Sequence, residues 1–406
     1  MTTALSPIPI EAFHALWPEG DLAWLRLRPA PQQPDWGSTR LDGVIEELRQ
    51  RTPLVRAEDV RGLRLLLARA ALGEAVVLQA GDCAEDPAEA TVGEVARKAA
   101  LLEELADVME LAADRPVLRV GRIAGQFAKP RSQPTELVGG VELPVYRGHL
   151  VNSPEPTADR RRPDPDRMLA GHRAAREVLH HLGWGDQPER LLTDPQVWTS
   201  HEALLLDYEL PQVRRDEHGR ALLTSTHWPW IGERTRRVDG AHVALLAAVA
   251  NPVGCKVGPT MTVDELLELC ARLDPGREPG RLTLISRMGL GAVARNLPRL
   301  VAAVKAAGHP VIWLCDPMHG NTVQGPGGLK TRYLSTLTQE ARAFQEAVAG
   351  SGGVAGGLHL ETTPDDVTEC VADESQVHRV GERYRSFCDP RLNPEQAAEL
   401  VSGWRG

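Results

Sequence analysis

Eight short apolar runs alternating with longer helix-period runs predict a (β/α)8 TIM barrel, a closed parallel sheet ringed by helices. Three observations carry this. The β-type runs are near-continuous in Val, Leu and Ile, as strands buried on both faces require. Helical patterns separate them, and right-handed crossovers turn such alternation into a parallel sheet. Each β-type run also ends in polar or charged residues, at the end where a barrel places its chemistry. A doubly wound open sheet is the competing arrangement.

In order, the strands are expected in AVVLQAG (75–81), RPVLRVGR (115–122), QVWTS (196–200), ALLTSTHW (221–228), PVGCKVG (252–258), LTLISRMG (282–289), PVIWLCD (310–316) and GGLHLET (356–362). VGEVARKAALLEELADVMELA follows the first strand as a helix, and DRMLAGHRAAREVLHHLG lies between the second and third. GAHVALLAAVA precedes the fifth, VDELLELCARL the sixth and LPRLVAAVKAAG the seventh. Gly or Pro marks several helix-to-strand returns, as in AAGHPVIW. Residues 1–60, rich in Pro and Trp with an amphipathic stretch at Leu41 to Arg51, are expected to form a short N-terminal extension packing on a catalytic barrel of residues 61–406. An extended loop after the second strand runs from about Gly125 to Asp164, and so long a loop in a compact domain is usually functional or a lid.

The chain has 406 residues, within reach of one barrel with insertions. A net charge of -9 argues against nucleic acid or an anionic membrane as partner. No apolar run is long enough for a membrane span, and the first twenty residues lack the basic-then-apolar order of a signal peptide. Six cysteines without CxxC pairing fit a reduced, cytoplasmic protein.

The strand ends hold the chemistry. A lone Arg or His there is more often a satisfied salt-bridge partner than a functional group. Eight such ends converging on one mouth are harder to explain that way, because unpaired buried charges are costly to desolvate. Arg122, Arg234, Lys256 and Arg287 form a cationic set suited to a carboxylate–phosphate substrate. Lys129, Arg131 and Ser132 on the following loop suit a second phosphate. Cys83, His319, Glu361 and Asp389 read as a metal-ligand set whose mixed donors favour Mn²⁺, Fe²⁺, Co²⁺ or Zn²⁺ over Mg²⁺ or Ca²⁺. The plain alternative is that Cys83 and Cys388 are small buried hydrophobes and His319 a loop hydrogen-bonder.

Taken together, PQQPDW, LQAGDCAE, VGRIAGQFAKPRS, LPVYRGHLVN, TSHEALLLDYE, WIGERTRRVDGAHV, NPVGCKVGP, LTLISRMG, DPMHGNT, GLHLETTPDDVTEC and CDPRLN resemble a class II 3-deoxy-D-arabino-heptulosonate 7-phosphate (DAHP) synthase. The likeness runs in order from about Pro31 to the C-terminus. It implies a shikimate-pathway transferase that condenses phosphoenolpyruvate with erythrose 4-phosphate and releases phosphate. Motif by motif, it implies Cys83, His319, Glu361 and Asp389 as ligands of a divalent metal, Mn²⁺ or Co²⁺ ahead of Zn²⁺ or Fe²⁺. It implies Arg122, Glu233, Arg234, Lys256 and Arg287, with the backbone at Trp230, for phosphoenolpyruvate. Lys129, Pro130, Arg131, Ser132 and Glu202 would meet erythrose 4-phosphate, and Lys256, Glu233 and Arg287 would be catalytic. A homodimer or tetramer is the family-based expectation.

Regulated members of this class carry an inserted helix pair between the second barrel helix and the third strand, where aromatic amino acids bind. Here that interval is only GWGDQPERLLTDPQ, too short for two helices. The chain therefore resembles the compact synthases of phenazine and similar secondary-metabolite pathways, and weak or absent aromatic feedback is expected. If Cys83 and Asp389 share a metal, Cys388 lies close enough to Cys83 for a disulfide in oxidised, metal-free protein. Alternatives are an amino-DAHP synthase, a catalytically inactive barrel with a binding role, and, less favoured, an octulosonate phosphate synthase.

Overall fold

The computed structural model describes residues 23–185 and 197–405. The barrel strands are β1 (Val76–Gly81), β2 (Val117–Arg122), β5 (Trp198–Glu202), β8 (Trp228–Ile231), β9 (Val253–Val257), β10 (Leu282–Ser286), β11 (Ile312–Cys315) and β14 (Val354–Glu361). They close in the order β1-β14-β11-β10-β9-β8-β5-β2, with every pairing parallel.

Around them lie α1 (Leu41–Gln50), α2 (Ala57–Ala71), α3 (Val92–Ala113), α4 (Asp166–His181), the short α5 (Leu206–Glu209), α6 (Ala241–Ala248), α7 (Val263–Leu273), α8 (Leu290–Ala306), α9 (Leu334–Gly350) and α10 (Pro394–Ser402). Among the described residues, three antiparallel hairpins stand outside the barrel: β3 (Thr135–Val138) with β4 (Val141–Pro144), β6 (Val213–Arg215) with β7 (Ala221–Leu223), and β12 (Val323–Gln324) with β13 (Lys330–Thr331). No helix among the described residues is long and apolar enough to cross a membrane.

Side-chain alternation divides each strand between two apolar bodies. Val76, Leu78 and Ala80 of β1 pack outward with the helix layer, alongside Leu102 and Leu105 of α3. Val77 packs inward with Val120, Trp228, Trp230, Ile285, Ile312 and Leu314. Leu63 and Leu67 of α2 join that inner body, and α2 rests on β11 and β14, so the helix closes the amino end of the barrel.

The fourth strand differs from the expectation at 221–228. Ala221–Leu223 forms the β6–β7 hairpin, and the barrel strand begins only at Trp228. The apolar ALL was the stronger strand signal, whereas Pro229 lacks a ladder donor and reads against a central strand. α8 begins at Leu290 and runs through Pro298, although a proline more often opens a helix than interrupts one. The long loop after β2 contains the β3–β4 hairpin. Helices α2, α9 and α10 had no counterpart in the strand-and-helix pattern read from the sequence. Most of the short interval before β5, residues 186–196, and residues 1–22 of the extension lie outside the described residues.

Candidate active site

Strand alternation carries the inner face from apolar to polar toward the carboxyl ends. Below the mouth lies a fully buried network. Gln79 Nε2 donates to Ser200 Oγ at 3.0 Å, which leaves Gln79 Oε1 to accept His359 Nδ1 at 2.6 Å. His359 Nε2 is then the acceptor for Arg122 Nη1 at 2.5 Å. Burial, reinforced by Lys256 and Arg122, holds His359 well below the usual imidazole range, so the ring is neutral as this pattern requires. The network fixes Arg122, whose guanidinium also lies 5.2 Å from the centre of the Trp230 ring.

Above it, three of the four expected metal ligands come together, and the fourth, His319, stands beside one of them, Glu361. Ligand atoms of Cys83, Glu361 and Asp389 all lie within 4.8 Å of one another. His319 Nε2 is 3.3 Å from Glu361 Oε1. Its Nδ1 is 2.8 Å from Asp316 Oδ2, the carboxylate–histidine pairing that orients an imidazole to present its other nitrogen. The three clustered donors, one cysteine sulfur and two carboxylates from separate strand ends and loops, fit a divalent ion, with the His319 imidazole beside Glu361.

The convergence has a visible cause. Arg391 Nη1 donates to Asp82 Oδ1 at 2.7 Å, and Arg391 also pairs with Glu369. Glu369 accepts the backbone N–H groups of Arg385, Ser386 and Arg391 at 3.0, 2.8 and 2.8 Å. The loop carrying Asp389 is thereby stapled to the residue beside Cys83, and Asp389 N donates to Cys83 Sγ at 3.1 Å. Burial pushes the Cys83 thiol up, but the hydrogen bond with Cys388 and the charge of Lys129 outweigh it and bring it to about 7. Cys83 and Cys388 are both free thiols.

Cations crowd these carboxylates. Glu361 meets Arg122 Nη2 at 3.1 Å and Lys129 Nζ at 3.4 Å through Oε1, and Arg332 Nη1 at 2.8 Å through Oε2. Burial opposes its ionisation, yet His319, Lys129 and Arg332 hold it well below the usual carboxylate range. Lys129 also lies 3.7 Å from Asp389 Oδ2, and Lys330 Nζ pairs with Asp389 Oδ1 at 2.7 Å. Lys129 thus stands over the metal set, while its neighbours face elsewhere. Arg131 pairs with Glu136 at 3.0 Å, half-buried Pro130 lies between, and exposed Ser132 accepts Arg234 Nη2 at 2.5 Å.

The remaining expected residues ring the same mouth. Lys256 Nζ donates to Asp316 Oδ2 at 2.5 Å in a buried pair, and burial pulls the amine down to about 8. Arg287 Nη2 donates to the His319 carbonyl at 2.7 Å. Glu233 Oε1 accepts Arg236 Nη2 at 2.7 Å, leaving its buried Oε2 without a partner. The buried Glu202 Oε1 also has none, and burial raises that carboxyl. Gly125 makes room for the loop after β2, since a Cβ there would lie 2.1 Å from His201 Nδ1. Arg332, Lys330, Gln79 and Glu369 were missed in the sequence. Arg332 and Lys330 sit in LKTRYL before a helix rather than at a strand end, and Gln79 looks like an interruption of an apolar strand.

The chain matches the family model described as the class-II DAHP synthetase family over residues 21–183 and 179–402. It is 58% identical over 378 residues to the probable phospho-2-dehydro-3-deoxyheptonate aldolase of Pseudomonas fluorescens, covering 93% of this chain and 94% of the relative. It is 40% identical to the phospho-2-dehydro-3-deoxyheptonate aldolase of Streptomyces coelicolor, with 95% and 96% of the two chains covered. A Mycolicibacterium smegmatis protein of the same name is 36% identical, with 97% of each chain covered.

Proposed function

The chain belongs to the class-II DAHP synthetase family, and on that premise we propose that it condenses phosphoenolpyruvate with erythrose 4-phosphate to DAHP and inorganic phosphate, at the head of the shikimate pathway. The observation that carries the reading is the position of Glu361, which touches Arg122 of the cationic set and lies 3.3 Å from His319 Nε2 of the donor set. An anion site and a metal site sharing one wall suit a reaction that joins an anionic enol to a polarised aldehyde.

On this reading Cys83, Glu361 and Asp389, with His319 beside them, would hold a divalent ion, Mn²⁺ or Co²⁺ ahead of Zn²⁺ or Fe²⁺. Bound there, the ion would supply Lewis-acid polarisation of the aldehyde. Arg122, Arg234, Lys256 and Arg287 neutralise the carboxylate and phosphate of phosphoenolpyruvate, with Trp230 and Glu233 beside them. Lys129, Pro130, Arg131, Ser132 and Glu202 place erythrose 4-phosphate, so the two reacting carbons meet in contact geometry. The methylene carbon of phosphoenolpyruvate bonds to the aldehyde carbon, and water adds to the former enol carbon. The carbon–oxygen bond to phosphate then breaks, its electron pair leaving with the phosphate. Glu233 and Lys256 orient or deprotonate that water. The unpartnered Glu233 Oε2 supports this role, because a buried carboxylate oxygen without a donor is poised to accept one.

Residues 61–406 are then the catalytic unit and residues 1–60 an extension upon it; a cytoplasmic homodimer or tetramer fits the reading. A lack of aromatic amino acid feedback is also proposed. The alignments to the Streptomyces and Mycolicibacterium relatives extend over 433 and 452 positions, more than the 406 residues of this chain, which supports a compact form. The test is phosphate release by metal-stripped protein with Mn²⁺, Co²⁺ or Zn²⁺ added back, and product mass spectrometry with erythrose 4-phosphate or its imino analogue. No phosphate release with any ion would overturn the proposal. Preference for the imino analogue would reassign the substrate.

A further inference from the structure

Glu340 is fully buried on α9, in the outer helical layer, yet its carboxylate reaches two loops of the barrel mouth. Oε1 accepts the backbone N–H of Gly289 at 2.9 Å. Oε2 accepts the side-chain amide of Asn321 in a short hydrogen bond. Asn321 in turn accepts Leu290 N through Oδ1 at 3.1 Å and donates to the Pro317 carbonyl at 2.7 Å. Gly289 and Leu290 begin α8, two and three residues after Arg287; Pro317 and Asn321 flank His319 on the loop after β11. One carboxylate therefore ties the backbone that carries Arg287 to the backbone that carries His319.

The two loops are also pressed together. Gly289 adopts φ +80°, and a Cβ added to Gly320 would lie 2.3 Å from Gly289 N. Arg287 Nη2 bridges them a second time, donating to the His319 carbonyl at 2.7 Å. A purely structural role is visible too. Gly289 offers no side-chain cap to α8, and Glu340 with Asn321 satisfies two of the N–H groups at that helix start. Capping alone would not need an amide from the loop after β11. The clasp adds a geometric consequence at the mouth, because displacing Asn321 moves the backbone two residues from His319.

We propose that Glu340 is a positioning residue that holds Arg287 and His319 as one unit, so that metal affinity and phosphoenolpyruvate binding depend on it together. The inference rests on the functional reading above. Glu340→Gln keeps the shape but removes one acceptor, setting two amide donors against each other at Asn321. Mn²⁺ binding by titration calorimetry, the KM for phosphoenolpyruvate and the melting temperature are measured at pH 8, with the exposed Glu346→Gln on the same helix as control.

Glu340→Gln is expected to raise the Mn²⁺ Kd about 10-fold, the low end for groups that orient ligands from behind. KM for phosphoenolpyruvate should rise several-fold, with a smaller effect on kcat, and Glu340→Asp should recover part of both. Glu346→Gln should match wild type. A variant with wild-type Kd and KM and only a lower melting temperature would reduce Glu340 to a helix cap and overturn the inference. Wild-type protein that neither binds Mn²⁺ nor turns over would instead overturn the functional reading.

Discussion

Lys256 and His319 share one carboxylate oxygen. Asp316 Oδ2 accepts Lys256 Nζ at 2.5 Å and lies 2.8 Å from His319 Nδ1. A member of the cationic set and a member of the donor set thus lean on one buried anion. Burial alone would raise the Asp316 carboxyl, but His319 and Lys256 hold it well below the usual range. Asp316→Asn removes that charge from both partners. The expected outcome is Mn²⁺ affinity weakened about 10–100-fold with a parallel fall in kcat/KM. Calorimetry and initial rates check it, and an unchanged metal Kd would remove Asp316 from the support of His319.

Cys83→Ser tests the thiolate. The Cys83 sulfur accepts Asp389 N at 3.1 Å and sits within the donor cluster at full burial. Serine keeps the volume but is a much poorer ligand for softer divalent ions. Metal binding and activity should vanish together, read by equilibrium dialysis and phosphate release. Full activity of the variant in metal-stripped buffer would disprove the ligand assignment.

Lys256 sets an upper limit on pH. Burial draws its amine down to about 8 against the pull of Asp316, and the amine is charged only below that value. Its attraction for an anionic substrate should therefore fade as pH rises through about 8. The KM for phosphoenolpyruvate, followed from pH 7 to 9.5, is expected to climb above this point. A flat profile across that window would separate Lys256 from substrate binding.

Glu340 makes a stability prediction with a definite sign. Burial raises its carboxyl from 4.5 to about 7, against the pull of Asn321 and Gly289. The folded state then holds a proton that the unfolded chain has released, so its contribution is fully present below about pH 4.5 and lost as pH rises through about 7. Glu340→Gln cannot lose that proton. Its melting temperature relative to wild type should therefore improve from pH 5 to pH 8, as differential scanning calorimetry would show. A difference that stays constant or falls over this interval would contradict the raised carboxyl.

The parts of the site legible in the sequence were those at strand ends, because there the period-two alternation of a buried strand turns abruptly polar. Arg122, Lys256 and Glu361 were visible for this reason, and all three are fully or nearly fully buried at the mouth. Arg332 was not, since it lies between the β12–β13 hairpin and α9, and only the return of that chain over the mouth brings it to Glu361. Glu340 was equally hidden, as one acid on a helix whose inward face cannot be assigned without its neighbours. Among strands, the apolar but peripheral β7 outweighed the proline-bearing β8, a case where local propensity and tertiary role point in opposite directions.

The seating of α2 beneath the barrel has a consequence for traffic. Leu63 and Leu67 share one apolar body with Val77 and Ile312, so among the described residues the amino end of the barrel is floored and its polar groups gather at the other end. On the proposed reading, reactants and the departing phosphate would pass through the carboxyl-end mouth, opposite that floor.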